Sequence, residues 1–314
     1  MSDADPSVET PRDAVPPRRE RIRNLRKRRR RRRGRRAYVR SVQFLPSLAT
    51  LGNALCGFAA IYVATLSPEV VQSDPLARAV AGNRFIIAVY LLALAMFFDA
   101  IDGRLARLAR HTTDFGGQLD SLADAISFGV APAVIALHVF KFDGVEVPLA
   151  VSRLIWAIGG LYVACALLRL ARFNVSNEHA EENHMSFLGL PSPGAAGGVL
   201  GAVLIQQDLL LEARLAGEGA WGSFLAWAAV AMTIALPIIL CSCALLMVAN
   251  LRYPHFVNKY LRGNKSFGRI VASLVILLGL VVAHRYTLGV AGLLFAALGP
   301  IAWAGRKLRR TPAA

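Results

Sequence analysis

Long apolar runs, each about 20 residues and nearly free of charge, recur along most of this chain. A helix of that length crosses the hydrocarbon core of a bilayer. Charged residues or clusters of Pro and Gly bound the runs, and none shows the short alternation of a membrane β-barrel. The pattern predicts an all-α polytopic membrane protein with about eight transmembrane helices, near residues 48–66, 84–106, 117–140, 152–170, 192–211, 222–249, 268–284 and 286–304. Only His284–Tyr286 separates the last two runs, which predicts a tight helical hairpin.

The composition supports a membrane protein. Of the 314 residues, 55% are hydrophobic and 18% are charged, whereas about 25% of a typical soluble domain is charged. All four cysteines lie in apolar runs and none forms a C-x-x-C pair. They are therefore interpreted as small buried residues. Glycines spaced four residues apart, Gly194 with Gly198 and Gly197 with Gly201, indicate close packing between helices.

Positive charge is concentrated at the N-terminus. Residues 1–45 contain 16 Lys/Arg and 5 Asp/Glu, so they supply about +11 of the net charge of +16. Residues 1–40 have no apolar periodicity and are predicted to be a disordered tail. Its Arg run, Arg26–Arg36, has no interleaved aromatic residues, so we expect it to bind anionic membrane lipids rather than nucleic acid. The chain is thus divided into this tail, a membrane domain, a C-terminal transmembrane hairpin and a basic C-terminal tail, at residues 1–40, 41–264, 265–305 and 306–314.

The cations also predict the orientation in the membrane. Alternate connections carry clusters of Arg and Lys, and such clusters mark the cytoplasmic side. With the Arg-rich tail inside, the other inside clusters lie at residues 104–110, 169–172, 252–265 and 306–310. Both termini are then cytoplasmic, which requires an even number of spans. The prediction is a multi-pass protein of the cell membrane.

Four aspartates lie where apolar residues are expected. Asp99 and Asp102 are at the cytoplasmic end of the second span, and Asp120 and Asp124 are at the start of the third. Spacings of three and four residues place each pair on one face of its helix. Antiparallel helices joined by a short turn, which Gly116 and Gly117 favour, bring the two pairs face to face.

Converging carboxylates require a compensating cation. A single intramembrane charge costs at least ~2.5–3.5 kcal/mol even on the lenient insertion scale. Arg107 could neutralise one of the four. Divalent ions neutralise several at once, and a site made only of oxygen atoms suits Mg²⁺ or Mn²⁺. The alternative is a set of separate Asp–Arg pairs without metal.

The complete pattern resembles the signature of the CDP-alcohol phosphatidyltransferase family. It reads Asp99-x-x-Asp102-Gly103-x-x-Ala106-Arg107, eight further residues, then Gly116-x-x-x-Asp120-x-x-x-Asp124. The resemblance implies a six-helix core to which the hairpin is added, a homodimer, and two divalent cations at the site. It also implies that a phosphatidyl group passes from a CDP-linked lipid to an alcohol on the cytoplasmic side.

The same resemblance implies roles for individual residues. Asp99, Asp102 and Asp120, helped by Asp124, would ligate the two cations, and Asp124 would be the general base for the acceptor hydroxyl. The cytidine pocket and the nucleotide phosphates would be contacted by Asp102, Gly103, Ala106, Arg107 and Gly116.

Three further segments resemble the integral-membrane phosphatidylserine synthase branch of the family. They are LLRLARFN (167–174), FLGLPSPGAA (187–196) and LLMVANLRYPHF (245–256), in addition to FLPSLATLGNALCGF (44–58), where Ser47 replaces an expected Asn. This branch uses CDP-diacylglycerol and L-serine. Arg169, Arg172 and Asn174 are therefore candidates to bind the serine carboxylate or lipid phosphates, because Arg binds carboxylates bidentately. For Arg169 and Arg172, pairing with lipid headgroups is the simpler alternative.

Two other hypotheses remain at this stage. The acceptor could be glycerol 3-phosphate, inositol phosphate or choline, with the same chemistry. A cation transporter could use the aspartates as a relay, although a relay favours ionisable residues at mid-membrane in several spans. Here they gather at one boundary.

Overall fold

Helices account for nearly all of the chain that can be described. The computed structural model describes residues 47–67, 75–109, 114–143, 146–178, 189–251, 279 and 283–308. The Arg-rich tail and residues 309–314 of the predicted basic C-terminal tail (306–314) lie outside these residues, whereas residues 306–308 belong to the last helix. Within them no strand occurs, which confirms the all-α prediction.

The helices follow one another with short connections. In chain order they are α1 (Ser47–Thr65), α2 (Pro75–Gly82), α3 (Arg84–Ala109), α4 (Asp114–Asp124), α5 (Ala131–Asp143), α6 (Leu149–Glu178), α7 (Ser192–Ala216), α8 (Ala220–Val248) and α9 (His284–Leu308). A π-helical segment, Ala125–Val130, joins α4 to α5, so these three elements form one continuous rod.

Seven of the described helical rods are long and apolar enough to cross a membrane. They coincide with the first six predicted spans and with the last one. The seventh predicted span, residues 268–284, lies almost entirely outside the described residues. The turn predicted at His284–Tyr286 is wrong, because these residues form the first turn of α9. The short helix α2 was not predicted, since its eight residues have no span-length pattern.

Small residues place α7 at the centre of the bundle. Its buried positions are mostly Ala, Gly and Val, which let neighbouring backbones approach closely. An added Cβ at Gly201 would lie 2.5 Å from the Gly289 carbonyl oxygen in α9, and one at Gly198 would lie 3.1 Å from Ala296 Cβ. The close packing predicted from the glycine spacing is confirmed, with α9 as a partner.

Large apolar side chains point outward from the bundle. Leu55, Phe58 and Trp227 are each more than 60% exposed. A bundle whose outer face is this apolar is suited to lipid rather than to water. The structure thus supports the interpretation of these helices as membrane spans.

A buried arginine connects three helices at one end of the bundle. The Arg84 guanidinium lies over the rings of Phe85 and Phe142, 4.7 and 4.3 Å from their centroids. Its Nη1 donates to the Leu66 carbonyl at 3.1 Å. Arg84 therefore links the start of α3 to the end of α5 and to the residues that follow α1.

Two polar contacts add α7 and α9 to the same end. Arg285 Nη1 contacts Asp208 Oδ1 at 2.7 Å, and Gln207 Nε2 donates to Asp143 Oδ2 at 2.6 Å. We call these contacts, together with those of Arg84, the distal clamp. It lies at the end opposite the aspartate pairs, because about 20 helical residues, or ~30 Å, separate Asp124 from Asp143.

Candidate active site

Three of the four aspartates converge between α3 and α4. One carboxylate oxygen each of Asp99, Asp120 and Asp124 lies within 4.8 Å of the other two. All three side chains are half-buried. The prediction that the two pairs face each other is thus confirmed for these three residues, and the result follows from helical spacing: four residues bring Asp120 and Asp124 onto one face of α4.

Asp102 is more deeply placed than the other three. Its side chain is 4% exposed and its Oδ2 has no hydrogen-bond partner. Its carboxylate accepts hydrogen bonds from the Thr50 hydroxyl and the Gly103 backbone amide. A buried carboxylate oxygen without a partner is costly, so this atom calls for a ligand such as a cation.

The acidic cluster fits a small divalent cation. At a ligand distance of about 2.1 Å, oxygen atoms on opposite sides of Mg²⁺ are ~4.2 Å apart, comparable with the 4.8 Å limit of the Asp99, Asp120 and Asp124 oxygens. Their combined negative charge in a partly desolvated site favours a doubly charged ion over a lone Arg. The unpartnered Asp102 Oδ2 is a further available oxygen.

The glycines of the motif have different surroundings from those expected. A Cβ added at Gly103 would meet nothing within 4 Å, so packing within the chain does not require glycine there and space is left beside Asp102. Gly116 and Gly117 do not form a turn, because both lie in the first turn of α4. Residues 110–113, between α3 and α4, lie outside the described residues, as do the side chains of Ala106 and Arg107.

The first helix contributes donors that the sequence did not reveal. Asn53 Nδ2 donates to Asp124 Oδ1 at 3.1 Å, and Thr50, one turn earlier on α1, hydrogen-bonds to Asp102. Asn53 is fully buried. A three-residue spacing places both side chains on one face of α1. The sequence feature that could have identified Asn53 is the presence of a polar amide inside an apolar span.

The π-helical segment follows Asp124 directly. Ser127 Oγ donates to the Asn53 backbone carbonyl at 2.9 Å, and Tyr162 Oη donates to the Phe128 carbonyl at 3.1 Å. Short π-helical segments within α-helices occur frequently at functional sites, since they change the register of the following residues. Here the segment is held from both sides, by α1 and by α6.

Arg169 is half-buried and contacts the start of α7. Its Nη1 donates to Ser192 Oγ at 2.6 Å, and Ser192 is fully buried. The guanidinium lies within electrostatic range of Asp124. The structure therefore places this predicted acceptor residue beside the carboxylate cluster.

Arg172 and Asn174 lie on the same part of α6. Arg172 is exposed, with Nη1 at 3.4 Å from Asn250 Oδ1. Asn174 Nδ2 donates to Ser121 Oγ at 2.9 Å, next to Asp120, and that hydroxyl donates to the Gly117 carbonyl at 3.0 Å. All three acceptor candidates thus border the end of the bundle that contains the aspartates.

Known proteins with similar sequences point to the same site. The sequence profile of the CDP-alcohol phosphatidyltransferase family matches residues 43–298, a range that includes every aspartate of the site. Several similar proteins bear the name CDP-diacylglycerol–serine O-phosphatidyltransferase. The one from Helicobacter pylori strain 26695 is 31% identical over 219 residues, which are 69% of this chain and 75% of the relative.

Similar proteins of the same name occur in other organisms. The Bacillus subtilis protein is 27% identical over 232 residues, covering 73% of this chain and 99% of the relative. The Saccharomyces cerevisiae protein is 38% identical over 131 residues, covering 40% and 44%. With a family profile that matches most of its length and with the aspartates of that signature gathered at one site, this chain belongs to the CDP-alcohol phosphatidyltransferase family.

Proposed function

We propose that this protein transfers the phosphatidyl group of CDP-diacylglycerol to the hydroxyl of L-serine, giving phosphatidylserine and CMP. The observation that carries the proposal is the convergence of Asp99, Asp120 and Asp124 within 4.8 Å, in a chain whose relatives bear the name of that activity. The reaction balances. The serine oxygen forms a new bond to the lipid-side phosphorus of the pyrophosphate, and the bond from that phosphorus to the bridging oxygen breaks, so that this oxygen leaves with CMP.

Asp99, Asp102, Asp120 and Asp124 are the residues that would hold two divalent cations, Mg²⁺ or Mn²⁺. When bound, such ions neutralise the pyrophosphate and make CMP a better leaving group. Asp124 takes the proton of the serine hydroxyl as it attacks. Asn53 Nδ2 donates to one oxygen of Asp124 and so orients its carboxylate, which supports the assignment of Asp124 as the base.

The open space beside Gly103 supports a nucleotide site. Since no atom of the described residues would meet a Cβ there, a flat cytosine ring can approach the backbone of α3. We assign the cytidine and its phosphates to Asp102, Gly103, Ala106, Arg107 and Gly116.

The serine carboxylate needs a cation, and α6 offers two. Arg169 already donates to Ser192, whereas Arg172 is exposed and its bond to Asn250 is long, at 3.4 Å. An exposed guanidinium is accessible to a soluble carboxylate, which it can bind through two parallel hydrogen bonds. We therefore assign serine recognition chiefly to Arg172, with Arg169 and Asn174 shaping the same region.

The proposed arrangement in the cell follows the charge distribution. The protein spans the cytoplasmic membrane with both termini and the active site on the cytoplasmic side. It forms a homodimer, and its Arg-rich tail binds anionic lipids, each cation near the surface contributing ~1 kcal/mol.

An acceptor competition tests the proposal. Purified protein in detergent receives CDP-diacylglycerol with Mg²⁺ or Mn²⁺, and serine, glycerol 3-phosphate, inositol phosphate or choline in separate reactions. CMP release and lipid products are measured by mass spectrometry. We expect phosphatidylserine with serine and no lipid product with the other three.

Two matched variants control for the site. Asp124→Asn should lower turnover by at least 100-fold, because the base and one carboxylate charge are lost. Asp143→Asn makes the same chemical change at the distal clamp and should retain turnover within about threefold. Turnover with another acceptor would refute the serine assignment, and no CMP release with any acceptor would refute the proposed reaction.

A further inference from the structure

Asn53 is an unusual residue to find inside an apolar helix. Its side chain is fully buried, and only one of its two polar atoms is satisfied: Nδ2 donates to Asp124 Oδ1, while Oδ1 has no hydrogen-bond partner. An unsatisfied buried carbonyl lowers stability, and apolar residues in place of both Asn53 and Asp124 would avoid that cost. The stability of the fold therefore does not account for this polar pair.

The approach of α1 to the π-helical segment is close enough to require glycine. A Cβ added at Gly57, one turn after Asn53, would lie 2.9 Å from Ser127 Cα and still closer to the Ser127 hydroxyl. No side chain fits between backbones at that distance. Gly57 thus allows α1 to lie against the residues that follow Asp124.

A second hydrogen bond fixes the position of Asn53 itself. Ser127 Oγ donates to the Asn53 carbonyl at 2.9 Å, and Ser127 is fully buried. The Asn53 side chain and Ser127 thus connect α1 to the rod on both sides of residue 125. The Asn53 side-chain amide donates to Asp124 from a backbone that Ser127 holds in place. It therefore opposes rotation of the Asp124 carboxylate about its Cβ–Cγ bond.

We propose that Asn53 is a positioning residue for Asp124, holding one carboxylate oxygen so that the other faces the reacting groups, with Gly57 and Ser127 setting its distance. This inference rests on the proposed function only for the identity of the reaction. The hydrogen bond from Asn53 engages Oδ1 of Asp124, so Oδ2 of Asp124 is the oxygen that would receive the acceptor proton or bind a cation. If the carboxylate rotates, its free oxygen no longer faces the reacting groups. Small misplacements of catalytic groups cost up to about 100-fold in rate.

The test is a double-mutant cycle on Asn53 and Asp124. Asn53→Leu keeps the approximate shape of the side chain and removes the donor. We expect kcat for CMP release to fall by about 10- to 100-fold, with KM for CDP-diacylglycerol within about threefold, since the Asn53 amide donates to Asp124 and acts through that residue. Gly57→Ala should reduce kcat similarly, because it separates α1 from Ser127.

A binding measurement gives a second readout that does not depend on turnover. The affinity for Mn²⁺ is measured by electron paramagnetic resonance for wild type, Asn53→Leu, Asp124→Asn and the double variant. Groups that orient metal ligands typically change affinity or activity by about 10–100-fold. We expect Asn53→Leu to weaken Mn²⁺ binding in the wild-type background and to have no further effect once Asp124 is Asn.

The control is a buried hydrogen bond far from the aspartates. Gln206 Nε2 donates to Thr233 Oγ1 at 3.2 Å, and both side chains are 1% exposed. Gln206→Met should leave kcat and Mn²⁺ affinity within about twofold. If Asn53→Leu behaves like Gln206→Met, or if its effects are equally large in the Asp124→Asn background, the inference is wrong. A wild type that prefers another acceptor would refute the serine assignment but leave this Mn²⁺ cycle valid.

Discussion

Arg169 and Arg172 lie one turn apart on α6, yet their side chains have different surroundings. Arg169 donates to a buried serine at 2.6 Å and lies near Asp124. Arg172 is exposed and makes a long contact of 3.4 Å with Asn250. The two arginines therefore differ in accessibility: Arg169 is half-buried in the packing of the site, and Arg172 is exposed.

Substitution of Arg172 by Lys should affect serine more than the lipid donor. Lysine keeps the charge but loses the planar pair of donors that binds a carboxylate. We expect Arg172→Lys to raise KM for serine by about tenfold and to change KM for CDP-diacylglycerol by less than twofold, as measured by initial rates of CMP release.

The same change on the same helix provides a reference for Arg172→Lys. Arg153, near the other end of α6, is also exposed, and Arg153→Lys should leave both constants unchanged. An equal rise in both KM values for Arg172→Lys would contradict a specific role in serine recognition and would instead indicate general binding of phosphate.

The sequence predicted the charged residues of the site better than the neutral ones. Asp99, Asp120 and Asp124 were identified because charge in an apolar run is rare and their spacing gives a common face. Asn53 and Ser127 were not, since single small polar residues have no periodic partner. Their contact joins positions 74 residues apart, and a pairing so distant in sequence follows only from the packing of α1.

At the scale of elements, glycines determine how closely α7 and α9 pack. A Cβ at Gly201 would lie 2.5 Å from a backbone oxygen and 3.1 Å from Gly289 Cα. A backbone cannot move aside as a side chain can, so a side chain at position 201 would force α7 and α9 apart. Gly197, one turn earlier on α7, has nothing within 4 Å of the same added atom.

Alanine at these two glycines should therefore have opposite effects. Gly201→Ala should destabilise the protein by about 1–3 kcal/mol, the usual cost of overpacking, and lower the midpoint of thermal unfolding in detergent. Gly197→Ala should keep or raise that midpoint, because alanine favours a helix by about 1 kcal/mol over glycine. Similar midpoints for the two variants would show that α7 and α9 do not depend on this contact.

Helices were predicted more reliably than the points where they end. Apolar length located the spans, but the ends depend on local features that hydropathy does not record. Gly116 and Gly117 were expected to form a turn and instead begin α4. His284–Tyr286 contains polar residues, which suggested a break, but Arg285 pairs with Asp208 and so remains within α9.

At the scale of the whole molecule, the orientation can be tested with reporters. Positive clusters predict that both termini are cytoplasmic. A fluorescent protein fused after Ala314 should fluoresce, and alkaline phosphatase inserted after Glu218, between α7 and α8, should be active outside the cytoplasm.

The converse result would have a definite meaning. An active phosphatase fused after Ala314 would place that end outside and imply an odd number of crossings. The predicted span at residues 268–284 would then not cross the membrane. In either case the fusion after Glu218 fixes the orientation of α7 and α8 independently.

The distal clamp has a consequence for how the molecule can move. Arg84, Asp143 and Asp208 bring α3, α5 and α7 together at one end, with α9 attached through Arg285. At the opposite end, four carboxylates repel one another until a counter-charge arrives. Under the proposed function a two-tailed lipid enters at that end, and we expect the helices to separate there rather than at the distal clamp. The helices are thus held in register about 30 Å away from the carboxylates, by several contacts of which Asp143→Asn weakens only one.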